Sequence, residues 1–257
     1  MPDPTITPIH LRTVRSTLDE ARTWAVANPG ARAAIWADEQ TAGRGRLGRS
    51  WYSPIGGCWM TIVWPLVSPD SGGVAGLIAA VAAAGVIESA LGDSCSPNLV
   101  QIRWPNDLLI GGLKVGGVLG EVIGSRARPV LLLGIGINVN NSVPGEDTEL
   151  RTPAIAIADR IRGSQVDLPR FTGALIEAIS DGLGRHGPAG LGDVDLCALN
   201  DRLAFRGEIV RLDRAGIEGV LIGVDGSGRV LIEVDGARRA FSSGELSCRV
   251  VDGPRGV

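Results

Sequence analysis

Hydrophobic periodicity divides the chain into short strands with a few helices between them. Residues 9–14 predict a strand. Ser16 and Thr17 follow, and Thr17 with Glu20 has capping-box spacing for a helix that runs to about Asn28 and stops at Pro29-Gly30. Residues 33–37 predict a second strand. Residues 58–66 predict a third, with Met60, Ile62 and Trp64 on one face. The apolar, Gly/Ala-rich run from Gly72 to about Leu91 is short for a membrane span and carries Glu88, so it predicts a buried helix. Residues 100–104 predict a strand that Pro105-Asn106-Asp107 breaks and 108–110 continue. Gly111-Gly112 then turns it back into a return strand over 114–123. Residues 129–139 are almost wholly apolar, as in a strand buried on both faces. Helices are predicted over 152–161 and 168–184.

From Phe205 the character changes. Residues 208–213, 219–225, 229–235 and 240–250 are four β-rich runs, with Asp225-Gly226 and Asp235-Gly236 as hairpin turns. They predict a small barrel. The expected division is a domain of residues 1–203 followed by one of residues 204–257.

Composition narrows the picture. With three Phe and one Tyr in 257 residues, the core must rest on Val, Ile, Leu and Ala. The net charge of −3 argues against a protein that grips nucleic acid over a broad surface, so any basic cluster is a local device. Cys58, Cys95, Cys197 and Cys248 lie far apart, which fits reduced thiols in a cytosolic protein and gives no zinc site. His10 and His186 have no ligand or catalytic spacing and read as surface or packing residues. No signal peptide is readable at the N-terminus. The expected location is cytoplasmic, with no membrane contact.

Candidate chemistry gathers in three segments. The first is Gly43-Arg44-Gly45-Arg46-Leu47-Gly48-Arg49, closed by Ser50 and Trp51. Glycine lets backbone approach a ligand, and arginine supplies planar donors for carboxylate or phosphate oxygens. It describes a mobile cationic flap. The second is Arg103-Trp104-Pro105-Asn106-Asp107, followed by Lys114-Val115-Gly116-Gly117. Lys114, close to bare backbone, suits an anion, though spacing alone also allows a solvated surface lysine. Asp107 reads as a turn residue, or as a group that holds Mg²⁺ or orients an amine. The third is Gly134-Ile135-Gly136-Ile137-Asn138. No P-loop is present, the third glycine of a dinucleotide turn is missing, and no Ser/His/Asp set has a recognisable context. The residues alone describe a soluble α/β protein that handles a phosphate- or carboxylate-bearing small molecule.

Together these segments resemble the biotin–protein ligases. G-R-G-R-x-G-R-x-W matches residues 43–51 and [KR]-W-P-N-D-[LI] matches 103–108. K-x-[AG]-G-[IV]-L-x-E matches 114–121 and G-x-G-[IL]-N matches 134–138. Ser16-Thr17 stands where the family has a Ser-Thr pair, with Leu18 after it where Asn is common. Leu47 fills a loop position where Arg is frequent. The family's N-terminal helix-turn-helix has no counterpart here, so the resemblance is to the monofunctional type, without DNA binding.

The resemblance implies an α+β fold: a mixed, mostly antiparallel sheet packed with helices, plus a small C-terminal SH3-like β-barrel. It implies activation of biotin by ATP to biotinyl-5′-AMP with release of pyrophosphate. Transfer to a lysine on the biotin carboxyl-carrier domain of acetyl-CoA carboxylase or a related carboxylase follows. Lys114, Arg46 and Asp107 are then the implied catalytic residues. Ser16, Thr17, Gln40, Gly43, Arg44, Gly116, Gly117, Gly134 and Gly136 are implied for biotin. Arg44, Arg46, Arg49, Trp51, Asn106, Lys114 and Asn138 are implied for the nucleotide, with Mg²⁺ on the phosphates and Asp107 as its candidate protein ligand. A homodimer through a sheet edge is a further implication. The competing readings are a lipoate or octanoate ligase, which shares the fold and the lysine but not the arginine loop, a non-catalytic biotin-binding module, and an RNA-binding module.

Overall fold

The computed structural model describes residues 6–69, 72–92, 96, 98–143, 153–161, 165–185, 190–212, 216–242 and 248–250. In chain order these form β1 (Thr7–Val14), α1 (Thr17–Ala27), β2 (Ala33–Gln40), β3 (Cys58–Pro65), α2 (Gly72–Leu91), β4 (Val100–Arg103), β5 (Asp107–Ile110), β6 (Leu113–Ser125) and β7 (Arg128–Ile137). Then come α3 (Leu168–Arg185), α4 (Asp193–Asp201), β8 (Ile209–Leu212), β9 (Ile217–Val224), β10 (Val230–Val234), β11 (Ala237–Phe241) and β12 (Cys248–Val250). The first seven strands make one sheet in the order β1-β2-β3-β7-β6-β5-β4. The last five make a second, ordered β11-β10-β9-β8-β12. Among the described strands of this main sheet, β1 and β2 pair in parallel and the other strand pairs are antiparallel. The fold is therefore α+β with a mostly antiparallel main sheet.

Strand alternation decides what covers each face. Met60, Ile62 and Trp64 of β3, with Leu131, Leu133 and Ile135 of β7, point to the side covered by α2 and α3. α3 presents Phe171, Leu175, Ile179 and Leu183, four residues apart, as one buried stripe. α2 contains an 18-residue window, Val74–Leu91, apolar and long enough to cross a membrane. Here Ala79, Ala80, Ala83, Ala84 and Ile87 are fully buried in the core, as expected from the sequence. On the opposite face α1 packs Leu18, Ala21 and Ala25 against Ile35, Val63 and Leu132. α1 covers only part of this face, and the remainder holds the site.

Several expectations are corrected. Residues 108–110 do not continue the preceding strand: β5 folds back on β4, with Arg103 opposite Asp107, around a turn that contains the cis Trp104–Pro105 bond. Among the described residues, 153–161 hold no α-helix. Pro153 and Ile155 bond the backbone of Lys114 (2.8 and 3.0 Å), so this stretch is drawn out along β6, and only a short 3-10 turn follows at Ile157–Asp159. The residue that caps α1 is Ser16, whose Oγ accepts from Leu18 N (3.3 Å), which releases Thr17 for other bonds. α4 was not foreseen; it buries only Leu199, too little to leave a periodic signal. The fourth expected run, 240–250, starts inside one strand, β11 (Ala237–Phe241), and ends in another, β12 (Cys248–Val250). Asp235 and Gly236, both with positive φ, make the expected tight turn.

The second sheet shares the main core. Val210, Leu212, Leu221, Val230 and Ile232 join the cluster beneath α2. Ile102 bridges to Leu203, and Trp104 Nε1 donates to Gly228 O (3.2 Å). Cys58 is buried in that core and Cys197 is exposed; Cys95 and His186 lie outside the described residues. His10 stacks on Trp36 (5.3 Å) and bonds Asp38 (2.7 Å), a packing role.

Candidate active site

Three glycines open a groove on the α1 side of the sheet. Gly117 of β6 lies directly opposite Gly136 of β7, and Gly134 stands two residues along the same face. With no side chains there, the sheet backbone is the floor of a cavity of about 610 Å³. At Gly136 the lack of a side chain is compulsory, because a Cβ would lie 2.7 Å from Trp51 Nε1 and 2.8 Å from its Cε2. The Trp51 indole thus packs directly against the bare strand. Its Nε1 is buried and has no hydrogen-bond partner among the described residues.

Residues 43–51 overlie this floor as a small hairpin. Trp51 N bonds Gly43 O (2.8 Å) and Gly45 N bonds Arg49 O (2.7 Å). The turn places Leu47 at φ 59° and Gly48 at φ 74°. Arg44 pairs with Asp19 in the first turn of α1, which ties the hairpin to the helix. Arg46 is half-buried, and its Nη1 donates to Asn106 Oδ1 (3.2 Å). Burial lowers the Arg46 pKa and neighbouring Arg49 adds to this, while Asp107 opposes them. A guanidinium remains charged throughout.

At the Gly117 end the β4–β5–β6 register builds a charged cluster. Asp107 faces Gly117 across the β5–β6 pair. Its Oδ1 lies 2.6 Å from Lys114 Nζ and its Oδ2 2.5 Å from Arg103 Nη2; Asp107 is 15% exposed and Lys114 23%. Burial alone pushes the Asp107 carboxyl up, but the Lys114 and Arg103 charges and hydrogen bonds outweigh it and hold it below the usual carboxylate value. Lys114 Nζ also sits 4.9 Å from the Trp51 ring centre. The result is a fixed ammonium beside a bare strand, under an aromatic lid, near two more cations.

At the Gly134 end a polar network is held ready. Thr17 N and Oγ1 both donate to Gln40 Oε1 (2.8 and 3.1 Å), and Gln40 Nε2 donates to Ser53 Oγ (2.9 Å). Thr17 Oγ1 has spent its proton on Gln40, so Thr61 Oγ1 donates to it (2.9 Å). Thr61 pairs with Gly134, which places this network about 7 Å along the strand from Gly136. Leu18 and Leu119 line the stretch between.

Most of the residues expected at a site are therefore brought together. Ser16, Thr17, Gln40, Arg44, Arg46, Arg49, Trp51, Asn106, Asp107, Lys114, Gly117, Gly134, Gly136 and Asn138 all line the cavity. Gly43 and Gly116 do not. A Cβ on Gly43 would strike Ser53 Oγ and Trp51 O (both 2.5 Å), and one on Gly116 would meet Gly136 O (2.8 Å), so both serve close packing. Asn106 and Asn138 have structural duties. Asn106 Nδ2 donates to Val118 O (2.8 Å) and so aims Arg46, while Asn138 bonds Ile155 O and Asn141. Ser53 and Thr61 were missed by sequence reasoning, and Arg103, although inside the second candidate segment, was given no role of its own. Thr61 alone left a signal, as a polar residue inside an otherwise apolar strand. Among the described residues no group of three or more His, Cys, Asp or Glu could hold a metal ion.

With this geometry in place, comparison with known proteins is informative. The model of the biotin/lipoate A/B protein ligase family matches residues 11–140. That range contains both ends of the groove and the hairpin over it. The chain belongs to this family. Among curated relatives, it is 32% identical over 225 residues to the biotin–[acetyl-CoA-carboxylase] ligase of Paracoccus denitrificans, covering 85% of this chain and 92% of that one. It is 36% identical over 163 residues to a bifunctional ligase/repressor of Bacillus spizizenii, of whose length the match covers 48%. Among solved structures, the biotin protein ligase of Aquifex aeolicus in complex with biotin and ATP superimposes with a TM-score of 0.75 at 29% identity. That likeness covers 95% of this chain and 99% of the other.

Proposed function

We propose that this family member is a biotin–protein ligase. It activates biotin with ATP and transfers it to a lysine of a biotin carboxyl-carrier domain. One observation carries the reading: a glycine-floored groove with a fixed ammonium and two arginines at one end and a preset donor–acceptor network at the other. Biotin has this polarity, with a ureido ring at one end, a carboxylate at the other and an apolar stem between.

In the first step a carboxylate oxygen of biotin attacks the α-phosphorus of ATP. The new O–P bond forms as the bond to pyrophosphate breaks. Both reactants are anions, so approach and the charge on the phosphoryl oxygens must be offset by groups already in place. Lys114 and Arg46 serve the carboxylate and α-phosphate, and Arg44 and Arg49 the outer phosphates. Thr17, Gln40 and Ser16 hold the ureido head, Gly117, Gly134 and Gly136 line the stem, and Trp51 and Asn138 border the nucleotide. Asp107 acts through Lys114, whose ammonium it fixes in position. In the second step the acceptor amine attacks the acyl carbon, and AMP leaves. No enzyme nucleophile is needed.

Mg²⁺ is assigned to the ATP phosphates. Asp107 does not fit as its ligand, because both of its oxygens are already engaged by cations. Residues 1–203 are assigned the catalytic role and residues 204–257 a second unit. A homodimer would use an open edge of the main sheet, of which β1 and β4 are the outer strands. The test is intact-mass analysis of a carrier domain incubated with the protein, ATP and either biotin or lipoate. The reading expects a biotin adduct on one lysine. A lipoyl adduct alone would move the protein to the sister activity.

A further inference from the structure

We propose that this protein is depleted of side-chain amines as protection against the acyl-adenylate it makes, and that the one amine it keeps is masked by an ion pair. The inference rests on the ligase reading. Of 25 Lys and Arg residues in the chain, 24 are arginine, and the single lysine is Lys114. That lysine is the one held 2.6 Å from Asp107.

The chemistry gives this pattern a purpose. A mixed anhydride of a carboxylic acid and AMP acylates any free amine. The amine lone pair attacks the carbonyl carbon, an amide C–N bond forms, the C–O bond to AMP breaks, and the nitrogen loses its proton to solvent. At about pH 8 an ordinary lysine is roughly 0.4% free amine, whereas arginine is about 10⁻⁵ or less. Arginine therefore supplies the cationic surface an anion-handling protein needs without supplying a nucleophile. The exposed cations around the groove are arginines: Arg44 and Arg49 line it, and Arg15 adjoins Ser16, which does. Lys114 is different. It stands where the anhydride forms, and it must be an amine if its compact charge is to sit between Asp107 and the bare strand. Its Nζ is held 2.6 Å from Asp107 Oδ1 and lies 4.9 Å from the Trp51 ring centre, so the nitrogen is engaged by a carboxylate and screened by an indole rather than free to attack.

The test uses the full chain in three forms: wild type, Arg15→Lys and Arg211→Lys. Arg15 is exposed beside the groove, and Arg211 is exposed on the second sheet, where its long 3.6 Å contact with Glu218 is open to water and leaves an introduced amine accessible. Each is incubated with synthetic biotinyl-5′-AMP at about pH 8, with free lysine in the same tube, and the biotin on each position is mapped by peptide mass spectrometry. Positions 15 and 211 are expected to carry about tenfold or more biotin than Lys114, as an exposed amine against a masked one. Two results would overturn the proposal. One is Lys114 biotinylated in wild type as fully as the introduced amines. The other is both introduced amines unlabelled while the free lysine is acylated. A parallel tube with biotin, ATP and hydroxylamine reads the protein's own anhydride as the hydroxamate. Failure there counts against the ligase reading and leaves the mapping result standing.

Discussion

Asp107→Asn is the substitution that most directly probes how the site is held together. The change keeps the side-chain shape and removes the charge that faces Lys114 at 2.6 Å and Arg103 at 2.5 Å. At an effective dielectric of about 20, the Lys114 contact alone is worth about 6 kcal/mol of attraction. Desolvation of both groups takes back a large share. Asp107 is 15% exposed and Lys114 23%, so the pair lies toward the buried limit. Removal of one partner from a fully buried pair costs about 3–5 kcal/mol, and about 2–4 kcal/mol here, where the groups keep some contact with water. For a chain of this size that is a fall in Tm of about 5–10 °C at neutral pH. A second substitution, Lys114→Met in the Asp107→Asn background, removes the stranded charge and should recover about half of the loss.

The pH profile adds a sign. Asp107 is held below its unfolded value of about 3.9, so its stabilisation is present above that pH and lost as pH falls through the folded value. Thermal melts of wild type and Asp107→Asn should therefore differ most at neutral pH and converge in acid. If the variant melts within about 1 °C of wild type at pH 7 and the acid limbs superimpose, Asp107 does not clamp Lys114 and Arg103.

Three further outcomes are expected. Gly136→Ala drives a methyl group to within 2.7 Å of the Trp51 indole. The indole must lift off the strand, at a cost of about 1–3 kcal/mol if the loop stays closed, and affinities for biotin and for nucleotide should both fall at least tenfold by calorimetry, since Gly136 lines the stem and Trp51 borders the nucleotide. Trypsin should cut at Arg44, Arg46 or Arg49 in the free protein and be blocked by biotin with ATP; an unchanged digest would show that the hairpin does not close on ligand. Cys58, buried and with its thiol pushed up to about 11 mainly by burial, should resist alkylation at pH 8 in the folded protein while exposed Cys197 reacts.

The motifs were legible because each is a local constraint. The strand over residues 129–139, the Gly/Ala helix and the arginine hairpin need only their own sequence to be recognised. What escaped depends on register. Nothing in Arg103-Trp104-Pro105-Asn106-Asp107 says that β5 turns back on β4, yet that turn sets Arg103 and Lys114 on either side of Asp107. The contact of Trp51 with Gly136 joins residues 85 positions apart in sequence, so the two appeared as separate candidates rather than as one lid and floor. Residues 153–156 are an unbroken apolar run, Pro-Ala-Ile-Ala, which has no period to tell helix from strand, and Lys114 recruits their backbone alongside β6. Ser16 and Thr17 were read correctly as a pair and in the wrong order, since either can cap a helix and only the site shows which hydroxyl is needed elsewhere.

ATP–pyrophosphate exchange in purified protein, with and without biotin and beside a Lys114→Ala variant, tests the central claim most directly. The account predicts exchange that requires biotin and falls by about 10²–10³ in the variant, the loss typical of one prepositioned charge on a developing oxyanion. Biotin-dependent exchange that survives the loss of Lys114 would contradict the mechanism, and the absence of biotin-dependent exchange in wild type would contradict the function.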